Sequence, residues 1–278
     1  MKGTSLRIIR INHLGTPRWA ILKDDEHYCL MFGDIHRLPP DIDARPHRLD
    51  PSRLLAPCLP TKVVAVGLNY KDHVKEMGHE TPEEPVLFLK PPSSVIGPGS
   101  NILLPPQSRR VDHEAELAVV LKRKLHRAAR EEAAAAVWGF TCLNDVTARD
   151  LQKKDGQWAR AKGFDTFCPV GPWIDTEFKE ADQAITCRVN GEVRQKSSLG
   201  QRIWDTADLL AFASQAMTLE PGDVLTTGTS GGIGPLAPGD KVEVEVEGLG
   251  VLANGVVALG GFVAKPDEIT YSLPSLAA

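Results

Sequence analysis

The sequence has few cysteines, and none of them are paired at metal-binding spacing. Five cysteines occur in 278 residues, and no two form a CxxC pair. An odd and scattered set builds neither the disulfide framework of a small secreted protein nor a structural zinc site. We therefore expect reduced thiols in a cytoplasmic protein, at Cys29, Cys58, Cys142, Cys168 and Cys187.

Long apolar runs and a large excess of one charge are also missing. The longest nearly apolar stretch, at 133–143 and interrupted by Thr141, is far shorter than the ~18 residues of a membrane span. The first residues carry charges but lack the apolar core of a secretion signal. With a net charge of -4, the chain has no global attraction to nucleic acid or to an anionic membrane.

Turn-forming residues are abundant instead, with 24 glycines and 21 prolines, which is above the usual share. Short β-branched or alternating runs predict strands. They lie at 62–69, 86–90, 116–122, 223–229, 242–247 and 251–259. One amphipathic helix is predicted at 205–216, with Asp205 or Thr206 as its N-cap. We predict a mainly β fold with helices, of the α+β class.

A segment rich in proline and charge, at 38–60, is predicted to connect two units. The residues at 7–32 form a few small strands in this interpretation. We therefore divide the chain into a small N-terminal β-rich domain with its linker, 1–60, and a main domain, 61–278.

The strongest local signal is VDHEAELAVVL at 111–121. In a strand, Glu114 and Glu116 would share one face, because side chains alternate with period two. Apolar Ala118 and Val120 follow on that face, which favours a hard divalent cation such as Mg²⁺ or Mn²⁺ between the carboxylates. The alternative is an acidic strand end exposed to solvent.

Asp145 could supply a third carboxylate. In the segment NDVTARDLQ, a helix from Asp145 would place Arg149 and Gln152 on the same face. The alternative is that Asp145 only caps this helix and pairs with Arg149.

Three further segments carry residues suited to catalysis. In NYKDHVKEM, a short helix would place His73 beside Glu76, as in a general base oriented by a carboxylate, unless both simply face solvent. Lys162 precedes a glycine-rich and aromatic segment, where a buried ammonium group would stabilise an oxyanion; the alternative is a solvated lysine. The glycines at 226–236 could present backbone N–H groups to an anion, and the prolines that follow exclude a dinucleotide-binding helix.

The order of these segments resembles the fumarylacetoacetate hydrolase family. NYKDHVKEM, EPVLFLKP, VDHEAELAVVL, NDVTARDLQ, AKGFDTFCPVGP, VNGEVRQ and PGDVLTTGTSGGIGP follow one another as in that family, from 62 to 257. The resemblance implies a mixed β-sandwich roll, a homodimer, and a small N-terminal domain before the catalytic domain.

The resemblance also implies roles for individual residues. The metal ligands would be Glu114, Glu116 and Asp145. The catalytic residues would be His73, Glu76 and Lys162. The substrate-binding residues would be Arg149, Gln152 and Thr229.

The chemistry implied is cleavage of a C–C bond in a 2,4-dioxo acid, either an acylpyruvate or a diketo-deoxy sugar acid. The cofactor would be Mg²⁺ or Mn²⁺, with Ca²⁺ able to replace it in crystals, and the metal would stabilise an enolate. Decarboxylation or isomerisation in aromatic catabolism is the alternative, since the same metal site serves both. A non-catalytic protein with a structural cation is a third alternative.

Three positions depart from the family pattern. Gly163 follows Lys162 where many members have serine, and Ser230 replaces a frequent proline. Leu68 stands where several acylpyruvate hydrolases carry arginine, which removes a bidentate clamp for a substrate carboxylate.

Overall fold

Strands make up most of the regular structure in the computed structural model, which describes residues 6–36, 40–76, 78 and 80–260. The first strands are β1 (Arg7–His13), β2 (Thr16–Leu22), β3 (His27–Phe32), β4 (Asp41–Ile42), β5 (His47–Arg48), β6 (Leu54–Leu55), β7 (Val63–Gly67), β8 (Val86–Lys90) and β9 (Val95–Ile96). The middle strands are β10 (Asn101–Leu104), β11 (Val111–His113), β12 (Ala115–Leu121), β13 (Val137–Asn144), β14 (Thr147–Ala148) and β15 (Cys168–Asp175). The last are β16 (Ala184–Val189), β17 (Glu192–Ser198), β18 (Val224–Thr229), β19 (Gly234–Pro235), β20 (Lys241–Val246) and β21 (Gly250–Ala258).

Helices are short and lie between the strands. They are α1 (Lys71–Glu76), α2 (Arg130–Ala135), α3 (Arg149–Asp155), α4 (Ala159–Lys162) and α5 (Thr206–Ala216). Single 3-10 turns occur at Pro51–Arg53, Pro92–Ser94 and Leu199–Gln201. Helix α5 matches the prediction, since Asp205 caps it by accepting the N–H of Asp208, and its apolar face, which includes Leu209, is buried.

The described strands form three sheets. The largest has the order β4-β3-β2-β1-β15-β13-β12-β18-β7-β8, with β5, β6 and β9 paired at its sides. A five-stranded sheet has the order β10-β21-β20-β16-β17, and a small sheet joins β14, β11 and β19. The predicted mainly β class with few helices is confirmed.

The main core lies between the large sheet and the five-stranded sheet. It includes Leu117 of β12, Ile185 of β16 and Val244 of β20, all at most 1% exposed. Strand β12 is buried along its whole length, so its seven residues read as a continuous apolar run apart from Glu116. Burial of apolar surface on both faces therefore fixes the strand that carries this carboxylate.

The N-terminal strands continue the large sheet, because β1 pairs antiparallel with β15. In the segment 38–60, of which 38 and 39 lie outside the described residues, β4 and β5 pair with β3, and β6 pairs with β1. The predicted connection thus folds onto the N-terminal strands. The division at residue 60 stays a prediction. The last residues of the predicted main domain, 261–278, lie outside the described range. No helix among the described residues is long and apolar enough to cross a membrane.

Two local predictions are wrong. The run 111–121 is not one strand: it breaks at Glu114, between β11 and β12. The helix predicted from Asp145 begins only at Arg149, and its N-cap is Ala148. The chain is extended before that point because β14 pairs with β11. Asp145 therefore neither starts nor caps the helix.

Candidate active site

Three buried carboxylates form the centre of the site. Glu114, Glu116 and Asp145 each offer one oxygen, and these oxygens lie within 4.8 Å of one another. Glu114 stands at the break between β11 and β12, Glu116 lies in β12, and Asp145 directly follows β13. The backbone N–H of Asp145 donates to the carbonyl of Glu114 at 2.9 Å. Pairing of adjacent strands therefore brings together the three predicted metal ligands, although one of the predicted elements was wrong.

Two buried lysines neutralise part of this cluster. Lys162 donates from Nζ to Glu114 Oε2 at 2.7 Å and to Asp145 Oδ2 at 2.6 Å. Lys90, at the end of β8, donates to Asp145 Oδ1 at 2.5 Å and to the carbonyl of Val146 at 3.3 Å. Lysine is almost never fully buried without such partners. The two ammonium groups therefore belong to the carboxylate cluster.

Burial and neighbouring charges shift the glutamates in opposite directions. Burial alone would raise the pKa of Glu114, but the charges of Lys162 and Arg149 outweigh it and hold the pKa below its usual range. Burial raises the pKa of Glu116, and the nearby carboxylates of Asp145 and Glu114 raise it further. Glu116 is therefore the carboxylate whose negative charge the cluster compensates least.

Arg149 joins the cluster to the start of α3. Its Nε donates to Asp112 Oδ2 at 3.0 Å, and a terminal nitrogen donates to Glu114 Oε1 at 2.5 Å. The other terminal nitrogen donates to Gln152 Oε1 at 2.7 Å. The guanidinium thus holds the second oxygen of Glu114, the one that Lys162 does not contact, and it orients the Gln152 amide.

The predicted His–Glu pair is formed within α1. Nδ1 of His73 lies 3.3 Å from Glu76 Oε2, and both carboxylate oxygens of Glu76 accept the N–H of Gly232, at 3.1 and 3.2 Å. In the same helix, the carboxylate of Asp72 accepts a hydrogen bond from the Ser197 hydroxyl at 3.1 Å. One glycine of the predicted anion-binding loop therefore holds a carboxylate of the chain itself, and that carboxylate orients the imidazole.

The hydroxyl of Thr229 is engaged on both sides. It donates to the carbonyl of Ala115 at 3.0 Å and accepts from Nε2 of Gln195 at 2.8 Å. A hydroxyl has a single hydrogen. In this arrangement that hydrogen is committed to the backbone, so the side chain presents only a lone pair to a ligand.

A cavity of about 590 Å³ opens over these groups. Charged and polar side chains such as His73 and Lys162 form one part of its lining, and apolar side chains such as Phe88 and Trp158 form the rest of the wall. It is lined by Val66, Gly67, Leu68, His73, Phe88, Glu114, Arg149, Gln152, Lys153, Trp158, Lys162 and Thr229. Trp158 packs edge-on against Phe88, with ring centroids 5.2 Å apart, and Lys162 Nζ lies 5.1 Å from the Phe88 ring. All the predicted site residues except Glu76, Glu116 and Asp145 line this one cavity, and those three lie beside its lining.

The three departures from the family pattern have visible structural settings. Leu68 lines the cavity with a left-handed backbone, at φ 57°. A Cβ at Gly163 would lie 2.4 Å from the carbonyl oxygen of Ala159, so α4 ends there without room for a side chain. Ser230 is fully buried directly after β18. Where several acylpyruvate hydrolases carry an arginine, Leu68 therefore gives this cavity an apolar wall.

Several site residues were not predicted from the sequence. Lys90 ends the apolar strand β8, and a lysine in the segment VLFLK was the available signal. Asp112 and Gln195 lie within segments that carry the family resemblance, but nothing in their spacing distinguishes them. Their partners come from other strands, so only the fold reveals them.

The residues present fit a divalent cation. Lys90, Lys162 and Arg149 form ion pairs with Asp145 and Glu114. The carboxylate of Glu116 accepts the N–H of Gly228 at 2.8 Å, and no described lysine or arginine forms an ion pair with it. An all-oxygen donor set with one poorly compensated carboxylate suits a hard cation of the Mg²⁺ type.

Comparison with known proteins agrees with the geometry. Residues 62–257 match the fumarylacetoacetate (FAA) hydrolase C-terminal family model. Oxaloacetate tautomerase FAHD2B, mitochondrial, of Homo sapiens is 48% identical over 210 residues, covering 71% of this chain and 67% of that protein.

Two solved structures cover nearly the whole chain. 2-Hydroxyhepta-2,4-diene-1,7-dioate isomerase of Mycobacterium marinum superposes with a TM-score of 0.85 at 39% identity, covering 92% of this chain and 100% of that one. 5-Carboxymethyl-2-hydroxymuconate delta-isomerase of Mycobacterium smegmatis gives a TM-score of 0.83 at 43% identity, covering 91% and 99%. With the same fold, a family match over most of the sequence and a buried acidic cluster, the chain belongs to the fumarylacetoacetate hydrolase family of enzymes.

Proposed function

We propose that this chain is a divalent-cation-dependent enzyme that moves a proton at C3 of a 2-oxo acid and so interconverts its enol and keto forms. The observation that carries the proposal is the shared cavity. The His73 imidazole, the buried Lys162 ammonium group and Glu114 line this cavity. Glu76, which orients the imidazole, and the rest of the carboxylate cluster lie directly beside it. These are the groups that an enolisation needs.

Glu114, Glu116 and Asp145 would hold the cation. Mg²⁺ and Mn²⁺ both suit an all-carboxylate donor set. When bound, the cation supplies Lewis-acid polarisation of the oxygen at C2 and so acidifies the C3 protons. The raised pKa of Glu116 fits this role, because a positive ion beside it would offset the burial and the carboxylate repulsion that raise the pKa.

His73 would transfer the proton. Its Nδ1 faces Glu76, which leaves Nε2 as the nitrogen available to the cavity. The Gly232 N–H fixes Glu76 and therefore limits the rotation of the ring. A base held in this way contributes about 100- to 10 000-fold to the rate of a proton transfer.

Lys162 would stabilise the oxyanion that develops at C2. Two of its three N–H groups are given to Glu114 and Asp145, which leaves one donor for a substrate oxygen. The same two carboxylates hold the pKa of Lys162 above its usual value, although burial acts to lower it. The side chain therefore stays an ammonium ion and acts by charge.

The names of three relatives support this reaction class. One is an oxaloacetate tautomerase, and two solved structures are isomerases of unsaturated 2-hydroxy acids. All three names describe movement of a proton and a double bond without cleavage of the carbon chain.

Hydrolysis of a C–C bond in a 2,4-dioxo acid is the second candidate, and the size of the cavity favours it. A volume of about 590 Å³ leaves space beyond a four-carbon acid for an acyl group. It also leaves space for a water molecule, whose share of liquid volume is about 30 Å³. The same His73 would then activate this water.

An assay of enol and keto forms tests the two candidates. Enol oxaloacetate is mixed with the protein and Mg²⁺ or Mn²⁺, and loss of its ultraviolet absorbance is followed with an EDTA control. Pyruvate release is measured in parallel from oxaloacetate, acetylpyruvate, fumarylpyruvate and a diketo-deoxy sugar acid. Cation-dependent loss of the enol without pyruvate supports the tautomerase.

Three outcomes contradict the leading proposal. Pyruvate from a 2,4-dioxo acid with no acceleration of the enol reaction assigns the chain to the hydrolases. Pyruvate from oxaloacetate alone assigns it to the decarboxylases. Equal rates with and without EDTA remove the role of the cation.

The family resemblance predicts a homodimer, and the scattered, unpaired cysteines predict a cytoplasmic location. We propose both, and mass measurement by light scattering tests the first.

A further inference from the structure

Gln195 is a buried polar side chain that has no role in the chemistry described above. It lies in β17, where most other side chains are exposed or half-buried, and only 1% of its surface is accessible. Strand β17 belongs to the five-stranded sheet, so Gln195 approaches Ala115, between Glu114 and Glu116, from a different sheet than the one that holds Glu116. Burying an amide is costly unless its polar atoms find partners.

All the polar atoms of this amide are paired. Oε1 accepts from the N–H of Ala115 at 3.0 Å and from Nδ1 of His113 at 2.9 Å. Nε2 donates to the hydroxyl of Thr229 at 2.8 Å and to the carbonyl of Ser230 at 3.0 Å. A backbone N–H only donates and a carbonyl only accepts, so these partners fix which way the amide faces.

Gln195 and Thr229 hold the backbone of Ala115, the residue between the two proposed glutamate ligands. Ala115, between Glu114 and Glu116, gives its N–H to Gln195 and accepts the hydroxyl of Thr229 on its carbonyl. Here β11 has ended and β12 is beginning, and the pairing of β12 with β18 shifts register after Glu116. Side chains therefore stabilise the backbone where regular strand pairing is interrupted.

We propose that Gln195 is a positioning residue for the cation site. It fixes the backbone N–H of Ala115 and orients the Thr229 hydroxyl, which holds the Ala115 carbonyl. The backbone held at both ends of Ala115 sets the spacing of the carboxylates of Glu114 and Glu116. The inference rests on the proposed function, because it takes the carboxylates as cation ligands. Residues that do not bind the cation but hydrogen-bond to its ligands and orient them typically change cation affinity by about 10- to 100-fold.

The test replaces Gln195 by methionine, which has a similar length but no hydrogen-bonding amide. Mn²⁺ binding to the full chain is measured by calorimetry, and the fold by circular dichroism and thermal unfolding. We expect the Mn²⁺ dissociation constant of Gln195→Met to rise about 10- to 100-fold. The substrate KM should change less than kcat, because the substrate cavity does not contain this side chain.

Val244→Ala is the matched control for lost stability. Gln195 pairs with Cys187 of β16, and Cys187 pairs with Val244 of β20, so the two positions share one cross-strand row. Val244 is also buried, at 1% exposure. The control should lower the Tm and leave the Mn²⁺ dissociation constant unchanged. Equal effects of both variants on Mn²⁺ binding would assign Gln195 a merely structural role.

A double variant with Thr229→Val tests whether both side chains act on the backbone of one residue, Ala115. If they do, the loss of Mn²⁺ affinity in Gln195→Met/Thr229→Val is smaller than the product of the two single losses. Independent, multiplying losses overturn the shared action on Ala115.

The affinity readout separates this inference from the proposed reaction. A wild-type chain that binds Mn²⁺ without converting any 2-oxo acid refutes the reaction, while weaker binding by Gln195→Met still supports the positioning role. An active wild type with unchanged Mn²⁺ affinity in Gln195→Met overturns the positioning role alone. A wild type that binds no Mn²⁺ overturns both.

Discussion

Lys162 places its ammonium nitrogen 2.7 Å from Oε2 of Glu114, and both side chains are buried. The same nitrogen contacts Asp145, so one charge serves two of the three carboxylates. This contact holds the cluster together and leaves Glu116 as the carboxylate with which no described lysine or arginine forms an ion pair. Such a division of charge has consequences for stability that can be measured with and without Mg²⁺.

Replacing Lys162 by methionine should destabilise the cation-free protein strongly. Removing one partner of a buried ion pair leaves an uncompensated charge, which costs about 3–5 kcal/mol. Denaturant unfolding in EDTA measures the loss. Saturating Mg²⁺ should reduce it, because the cation takes over part of the compensation. A loss of equal size with and without Mg²⁺ would mean that no cation binds near this lysine.

Glu116→Gln should stabilise the cation-free protein at neutral pH. A carboxyl whose pKa is raised by burial and by Asp145 contributes its full stability below the unfolded value of about 4.3. The wild type loses this stability as the pH rises from the pKa of the carboxyl in the unfolded chain to its higher pKa in the folded protein. Over that range the loss is about 1.4 kcal/mol for each pH unit. The advantage of the variant in Tm should therefore grow from pH 4 upwards.

Thermal unfolding in EDTA across this pH range measures the effect, with Glu84→Gln as the exposed control. Added Mg²⁺ should reverse the order, raising the Tm of the wild type more than that of Glu116→Gln. Parallel Tm curves for wild type and variant would contradict the raised pKa of Glu116.

His73→Ala should reduce kcat by about 100- to 10 000-fold and leave Mn²⁺ affinity unchanged. In the proposed reaction the imidazole acts on the substrate and is not one of the cation ligands. His27→Ala is the control, because His27 also pairs with a carboxylate three residues away, Asp24, at 3.0 Å. Unchanged turnover in His73→Ala would show that His73 is not the catalytic base.

Gly67→Ala should disturb the apolar wall of the cavity. Its Cβ would lie 2.7 Å from Cζ3 and 2.9 Å from Cη2 of Trp158, so the indole must move. Overpacking of this kind costs about 1–3 kcal/mol. The substrate KM should rise with little change in Mn²⁺ affinity.

Trp158→Phe provides the test of this explanation, because phenylalanine lacks the two ring atoms that clash. In that background, Gly67→Ala should cost much less stability. Equal costs in both backgrounds would show that the indole is not the obstacle.

Local sequence patterns predicted the parts of the site that lie within one element. The helical spacing of His73 and Glu76 sufficed because both lie in α1. The helix at 205–216 was predicted from its apolar face and its Asp205 cap. The mainly β class followed from many short strand-like runs.

Contacts between distant segments were not predictable in the same way. Period two suggested that Glu114 and Glu116 share a strand face, but β11 pairs with β14 and β19, which interrupts the strand. The resemblance to a family supplied the grouping with Asp145 that spacing alone left open. Lys90 and Gln195 approach from β8 and from another sheet, which no local periodicity encodes.

The most direct test of the proposed proton transfer is its stereochemistry. His73 is held in α1 on one side of the cavity. An enol bound at the carboxylate cluster should therefore receive its proton from that side, on one face of its double bond. Enol oxaloacetate is converted in D₂O with Mg²⁺ and the product is trapped at once by enzymatic reduction to malate, whose C3 deuterium is located by NMR. We expect one diastereomer with the wild type, and an equal mixture with EDTA or with His73→Ala. An equal mixture with the Mg²⁺-loaded wild type would contradict proton delivery by His73.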